Sequence, residues 1–284
     1  MTPAPPVPAP QRRRALQLCT LLLTLLVSAL AVATPGSTAA LTARLTNTNA
    51  TAATAPYFTC AAAYTASTPG FYYKLDETSG TVATDSSANG RNGTYTGTVT
   101  RGVSGACVRD TGTAVTFDGS TGYVSYATSL SSSTTYSTEA WLRTTTDRGG
   151  LVSALGASSL GPSTSVDRVL YLTGTGRVVF GVNNAAKTTV TSPAAVNDGA
   201  WHHVMATAGP SGLQLYVDGV SVASSTAVIS TSFPGYLRVG YDNLSGWPSA
   251  PTSNFLAASV DEVAVYGRTL TAADALAHYT SGRR

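Results

Sequence analysis

The chain has 284 residues, a formal net charge of +3 and only 11% charged residues. Three of its 17 basic residues, Arg12, Arg13 and Arg14, cluster near the start, and the remaining 14 face 14 acidic residues. So balanced a chain, without a basic stripe, has no electrostatic means of holding a phosphate backbone, which excludes nucleic acid as a partner.

Residues 1–33 read as an export signal. The three arginines supply its positive end, residues 15–32 its apolar run, and Ala31-Val32-Ala33 a small-x-small cleavage site. Such a run can just cross a bilayer, but Gln17, Thr20, Thr24 and Ser28 dilute it, which favours cleavage over an uncleaved anchor. Cys19 follows Leu-Gln-Leu instead of the small residues that a lipid-attachment cysteine needs. General secretory and twin-arginine export both stay open. The expectation is a secreted, extracellular protein, free or surface-associated, with no stable membrane insertion after cleavage. Cys60 and Cys107 then remain, and an even pair outside the cytoplasm reads as a disulfide, worth about 4 kcal/mol in the chain-entropy model. Two buried free thiols are the alternative.

Residues 34–56 are small, polar and low in complexity, without the large apolar side chains that offset ordering entropy. They read as a flexible stalk or an added edge strand. Their Ala/Thr/Asn bias also resembles the mature N-termini of secreted biofilm-fibre proteins.

From Tyr57 to the end, short alternating runs are punctuated by Gly, Asn, Asp and Ser, the pattern of a β sandwich or jelly roll. Val115 and Phe117 lead into the turn Asp118-Gly119-Ser120-Thr121-Gly122, and Tyr123 to Tyr126 follow. Strands are predicted over 136–143, 177–182, 236–240 and 259–266. Leu213, Leu215 and Val217 share one face at period two, Asp218-Gly219 makes a two-residue hairpin turn, and Val220-Ser221-Val222 returns. One helix is predicted, at the end. Thr271 caps it, Asp274 stands three residues on, and Leu276 and Tyr279 share a face. Residues 57–284 are enough for a full two-sheet core, burying roughly 70% of the unfolded chain's surface.

The phrases YYKLDETSG–TVATDSSANGRNGTYTG (72–97), FDGSTGYV (117–124), EAWLR (139–143), WHHV (201–204), LYVDG (215–219) and DEVAVYGRTLT (261–271) occur in one order. In that order the chain resembles the laminin-G-like branch of the concanavalin-A-like jelly-roll proteins, over about residues 57–281. The resemblance implies an extracellular binding or accessory module. Some members hold a structural Ca²⁺ near the sandwich edge, and the matching candidates here are Asp85, with carbonyls of the 86–92 turn, and Asp261. Ca²⁺ takes six to eight oxygen ligands, some from backbone and water. The competing reading is an Asx turn at Asp85 and an ion pair from Asp261 to an arginine such as Arg268.

Catalytic relatives on this scaffold carry a Glu-x-Asp-x-(x)-Glu cluster on one strand. The three glutamates here, Glu77, Glu139 and Glu262, form no such cluster. Period two sends Asp261 and Glu262 to opposite faces, so they cannot flank one glycosidic bond as hydrolysis requires. His202 and His203 split across the sheet in the same way, one to the core and one to the surface. A G-x-S-x-G elbow and a phosphate loop are both absent from the sequence. Trp141 and Trp201 stand in strand motifs and read as core. Trp247 differs, standing in the turn-rich stretch Tyr241-Asp242-Asn243-Leu244-Ser245-Gly246-Trp247-Pro248, where it reads either as an open platform for a sugar ring or as a cover folded back on a sheet edge or core end, with the irregular region 148–168 expected to rim the same end.

The expected fold is therefore an all-β, two-sheet antiparallel jelly roll with a short C-terminal helix. The expected function is a non-catalytic lectin or adhesion module for a polysaccharide or cell-surface glycan. A sugar would stack on Trp247, take hydrogen bonds from Asp242 and Asn243 beside Tyr241, and rely on Ca²⁺ to hold the loops. The alternative is a structural surface or matrix protein tethered by residues 34–56. A polysaccharide hydrolase is disfavoured for want of a carboxylate pair.

Overall fold

The computed structural model describes residues 58–131, 133–184, 186–229 and 232–283, so the expected signal and stalk lie outside the described residues. Helix α1 (Cys60–Ala66) comes first, followed by β1 (Phe71–Tyr73), β2 (Val82–Ala83), β3 (Gly93–Thr96), β4 (Val99–Ser104) and β5 (Thr113–Asp118). Next come β6 (Tyr123–Ser125), β7 (Leu130–Ser131), β8 (Tyr136–Arg143), β9 (Gly150–Gly156), β10 (Val166–Leu172) and β11 (Arg177–Asn184). The chain continues through β12 (Ala186–Ala195), β13 (His202–Gly209), β14 (Gly212–Val217), β15 (Val220–Ser225), β16 (Pro234–Val239) and β17 (Ala257–Tyr266) to helix α2 (Ala272–Arg283). One sheet runs β15-β14-β13-β8-β17-β5-β4 with β1 against β17. The other runs β12-β11-β10-β9-β16-β6-β3-β2 with β7 against β16. This is the predicted antiparallel jelly-roll sandwich. None of its described helices is long and apolar enough to cross a membrane.

Alternation along the strands builds three apolar layers. Ala140, Leu142, Val204, Ala206, Val263 and Val265 face inward and meet Val152, Leu170, Phe180 and Leu237 of the second sheet. Trp141, Met205, Ala264 and Tyr266 face outward from the first sheet, under the two helices. Trp141 is therefore buried beneath α2 and not between the sheets. Its ring stacks on Tyr279 at 5.8 Å, and a Cβ at Gly282 would lie 2.3 Å from its Cζ2. Trp201 is only half-buried, with the Arg143 guanidinium 4.8 Å from its ring.

The hairpin turn at Asp218 (φ 53°) and Gly219 (φ 76°) has the two left-handed residues that its sequence predicts. At α2, Asp274 accepts from Thr271 N and Oγ1, while Thr271 Oγ1 accepts from Asp274 N, so the capping box is complete. The expected apolar face of α2 is only half there. Leu276 is 55% exposed, and the buried face is Ala275, His278, Ser281 and Gly282, because a helix this close to Trp141 needs small side chains. Helix α1 was not predicted. Its alanines supply the propensity, and Thr59 Oγ1 caps it by accepting from Ala62 N. The Cys60–Cys107 disulfide forms, tying α1 to the segment after β4.

Both helices are also held by one buried carboxylate. Glu139 on β8 accepts from His203 Nε2 of β13 and His278 Nδ1 of α2, each at 2.9 Å, and from the Tyr266 hydroxyl of β17. His278 Nε2 in turn lies 3.0 Å from Ser67 Oγ at the end of α1. Burial raises the carboxyl pKa, but the His278 charge and the two imidazole bonds outweigh it and hold Glu139 at about 2. Burial likewise opposes a charged His278, and Glu139 outweighs that to lift its pKa above the ordinary 6.5. Glu139 thus contributes above its ordinary value of 4.5, a contribution lost as pH falls toward 2. His278 contributes below 6.5, a contribution lost as pH rises through its lifted value, so the network stabilises most between pH 4.5 and 6.5. Glu139→Ala strands the donors, and chemical denaturation at pH 6 should show a loss of about 3–5 kcal/mol.

Candidate functional site

The outer face of the second sheet is covered by a loop, residues 241–256. Leu244 and Trp247 from this loop pack on Leu151, Ala154, Val166, Val169, Tyr171 and Val179. Trp247 is only 4% exposed, so the expected sugar platform instead covers the sheet. The sheet receives it at Gly181 on β11, where a Cβ would lie 2.5 Å from Trp247 Cζ3 and 3.1 Å from Cε3. Tyr171 meets the ring edge-on at 6.4 Å and donates its hydroxyl to Pro248 O. A loop with turn residues on both sides carries no period, so the sequence could not show which way the indole faces.

Asp242 is likewise no solvent-facing ligand group. Fully buried, it accepts from Ser163 N at 2.7 Å, Ser163 Oγ at 2.8 Å and Asn243 N at 2.7 Å, and stands 3.8 Å from Arg238. Gly156 leaves room for it, since a Cβ there would fall 2.1 Å from Asp242 Oδ2. Asp242 therefore anchors the loop to the 157–165 segment, and region 148–168 does reach this end as expected. Tyr241 is half-buried and stacked on Phe255 at 3.8 Å. Asn243 is half-buried too, donating to Ser163 O and accepting from Ser245 N.

Where the loop meets the sheet there is a polar recess of about 70 Å³, lined by Ser163, Thr164, Ser165, Asn183, Lys187, Asn243, Ser245 and Trp247. Two of the expected residues, Asn243 and Trp247, reach it, whereas Tyr241 and Asp242 do not line it. Its other members come from β11, β12 and the 157–165 segment. Their sequence signal was slight: Lys187 is one of only two lysines in the chain. A groove of about 420 Å³ with Thr173, Thr175, Arg177 and Thr191 shares the same loop through Ser249. A third hollow, of about 200 Å³, is walled by Phe71, Leu130, Tyr136, Leu155 and Val265. Its apolar walls suit sugar hydroxyls less than the recess does, and its Arg91 already donates to Gly70 O.

Asp85 and Asp261 do not assemble the expected donor set for Ca²⁺. Asp85 accepts from Tyr72 N, Ser87 N, Ser87 Oγ and Arg91 N at 2.9–3.0 Å, which occupies its lone pairs and makes an Asx turn. Asp261 accepts from Ala106 N at 2.8 Å and makes no ion pair with Arg268, which faces Ser67 O and Asp274. Among the described residues, ligand atoms converge at Cys60, Cys107 and Asp110 and at Cys107, Asp261 and Glu262, and in both groups the sulfur is held in the disulfide.

Asp261 and Glu262 also depart from period two. The register of β17 against β8 slips between Asp261 and Ala264, with Glu262 at φ 53°. The extra residue is a bulge, which puts both carboxylates on the outer face, keeps Val263 in the core and lets Tyr72 donate to Glu262. Burial, and for Glu262 the neighbouring Asp261, raise both pKa values. Acids raised on folding stabilise fully below their ordinary range and lose that contribution as pH rises through the folded values. The same applies to His278, so the melting temperature should fall from pH 5 to pH 8. Glu262→Gln, which keeps an acceptor for Tyr72, should flatten that fall and stabilise the protein at pH 8.

One further constellation has the form of a nucleophile, base and orienting acid: Ser67 Oγ, His278 and Glu139, linked at 3.0 and 2.9 Å. Ser67 is only 5% exposed, and its own N–H and that of Thr68 donate to Tyr64 O and Thr65 O. Neither amide is free to stabilise an oxyanion. The constellation holds helices to the sheet.

A laminin-G profile described as the concanavalin A-like lectin/glucanases superfamily matches residues 118–275, more than half of the chain. The chain belongs to this superfamily. The sequence has no match among curated proteins. Domain 4 of AbnA, a GH43 extracellular arabinanase from Geobacillus stearothermophilus solved with arabinotriose, aligns at TM-score 0.53 and 19% identity, over 73% of this chain and 96% of its own. Botulinum neurotoxin type C, whose cell entry depends on two ganglioside molecules, aligns at 0.57 and 11%, over 78% and 52%. Trypanosoma rangeli sialidase, solved with the inhibitor DANA, aligns at 0.50 and 13%, over 74% and 32%. The chain spans about half the length of the neurotoxin chains it matches. At these identities the likeness is one of fold alone. Gly181→Ala should push Trp247 off the sheet, costing about 1–3 kcal/mol and raising acrylamide quenching of tryptophan fluorescence.

Proposed function

We propose that this protein is an extracellular, non-catalytic carbohydrate-binding module whose ligand site is the recess beside Trp247. One observation carries the reading: polar groups gather there without being spent on the protein itself. The Thr164 and Ser165 hydroxyls and the Asn183 side-chain amide line the recess and bond no described residue, and Trp247 Nε1 is buried without a partner. Thr164 is exposed and Ser165 and Asn183 are half-buried, so their polar groups stand open to a ligand, and a cluster of them in a concavity suits sugar hydroxyls. The groove past Ser249 offers further threonines and Arg177, giving a longer glycan a polar path along the same loop.

Three points support the rest of the reading. The Cys60–Cys107 disulfide fits an oxidising compartment. The neighbours with arabinotriose and with ganglioside dependence favour glycan as the ligand class. Binding without turnover agrees with carboxylates that are all but sealed, Asp261 and Glu262 being 3% and 4% exposed. The test is a glycan array with wild type and Asn183→Ala, backed by a reducing-sugar assay. Retention of a glycan class, at least tenfold weaker binding by the variant and no sugar release are expected. Equal binding by the variant would remove the recess from the reading, and turnover would remove the non-catalytic assignment.

A further inference from the structure

We infer that the recess selects glycans carrying an acidic substituent, a carboxylate or sulfate, with Lys187 as the residue that reads the charge. This rests on the glycan-binding reading above and specifies its ligand. Lys187 Nζ is 2.9 Å from Ser245 O and 5.1 Å from the centre of the Trp247 ring. Both partners are uncharged. Lys187 has no ion pair among the described residues. An ammonium held on a carbonyl and an indole face keeps a fixed direction and is paired with no anion among the described residues.

No carboxylate of the protein lines the recess to supply it. Asp242 behind the recess is occupied by Ser163 and Asn243. Asp167 is occupied by Arg168 and by the Asn183 amide N–H. The lining residues instead carry donors: the Thr164 and Ser165 hydroxyls and the Asn183 and Asn243 side-chain amides. One cation beside hydroxyl and amide donors, with no acid in the described lining, is complementary to an anion. Size points the same way. About 70 Å³ is far below the roughly 300–1,000 Å³ of clefts that enclose a whole small molecule, so the recess takes one substituent of a larger ligand.

The test uses the full chain and paired polysaccharides. Pectate and alginate are each compared with their carboxyl-reduced forms, and dextran sulfate with dextran, by affinity electrophoresis and calorimetry. At least one acidic member should bind tenfold or more tighter than its neutral partner, with affinity falling as salt rises. The carboxylate and sulfate arms separate the two sources of charge. Lys187→Met, which keeps an aliphatic stem on the indole, should abolish the preference, so that acidic and neutral partners bind alike. Equal binding of acidic and neutral partners, or a preference surviving in Lys187→Met, overturns the inference and leaves the glycan site standing. Failure of wild type to bind any member, acidic or neutral, overturns both.

Discussion

A carboxylate cannot be ionised inside a protein unless donors replace its water, and Glu139 is where this chain meets that requirement. The three donors come from β13, β17 and α2, which are distant in sequence, and a second imidazole bond reaches the end of α1. Satisfying one charge therefore fixes the position of both helices on the outer face of the first sheet. Trp141, Tyr279 and the small residues of α2 pack around that fixed point. The result resembles a hydrolytic triad in geometry, with the Ser67 and Thr68 amides already bonded to carbonyls of α1.

The second constraint is the parity of β17. This strand must pair with β8, β5 and β1 while sending valines inward at both ends. A single extra residue at Glu262 makes that possible, at the expense of a left-handed non-glycine conformation and two carboxylates side by side. Their burial raises both pKa values.

On the opposite face the same economy of contacts shapes the recess. Gly181 and Gly156 are missing side chains where Trp247 and Asp242 must sit, so the loop lies flat and brings a donor-rich wall against β11 and β12. An indole lost as an open platform becomes one side of a pocket, with Lys187 lying across it. The polar groups that line the recess are thus those left over after the loop has folded.

Much of this was legible beforehand. Alternation at Leu213, Leu215 and Val217, the Asp218-Gly219 turn, the Thr271–Asp274 cap and the pairing of Cys60 with Cys107 depend on a few neighbouring residues or on counting, so the chain itself specified them. The orientation of Trp247, the shared face of Asp261 and Glu262, the Glu139 clamp and the company of Lys187 depend on residues tens to hundreds of positions apart. Those could be decided only when the sheets stacked, because a period read along a strand is silent about bulges and a loop has no period to read.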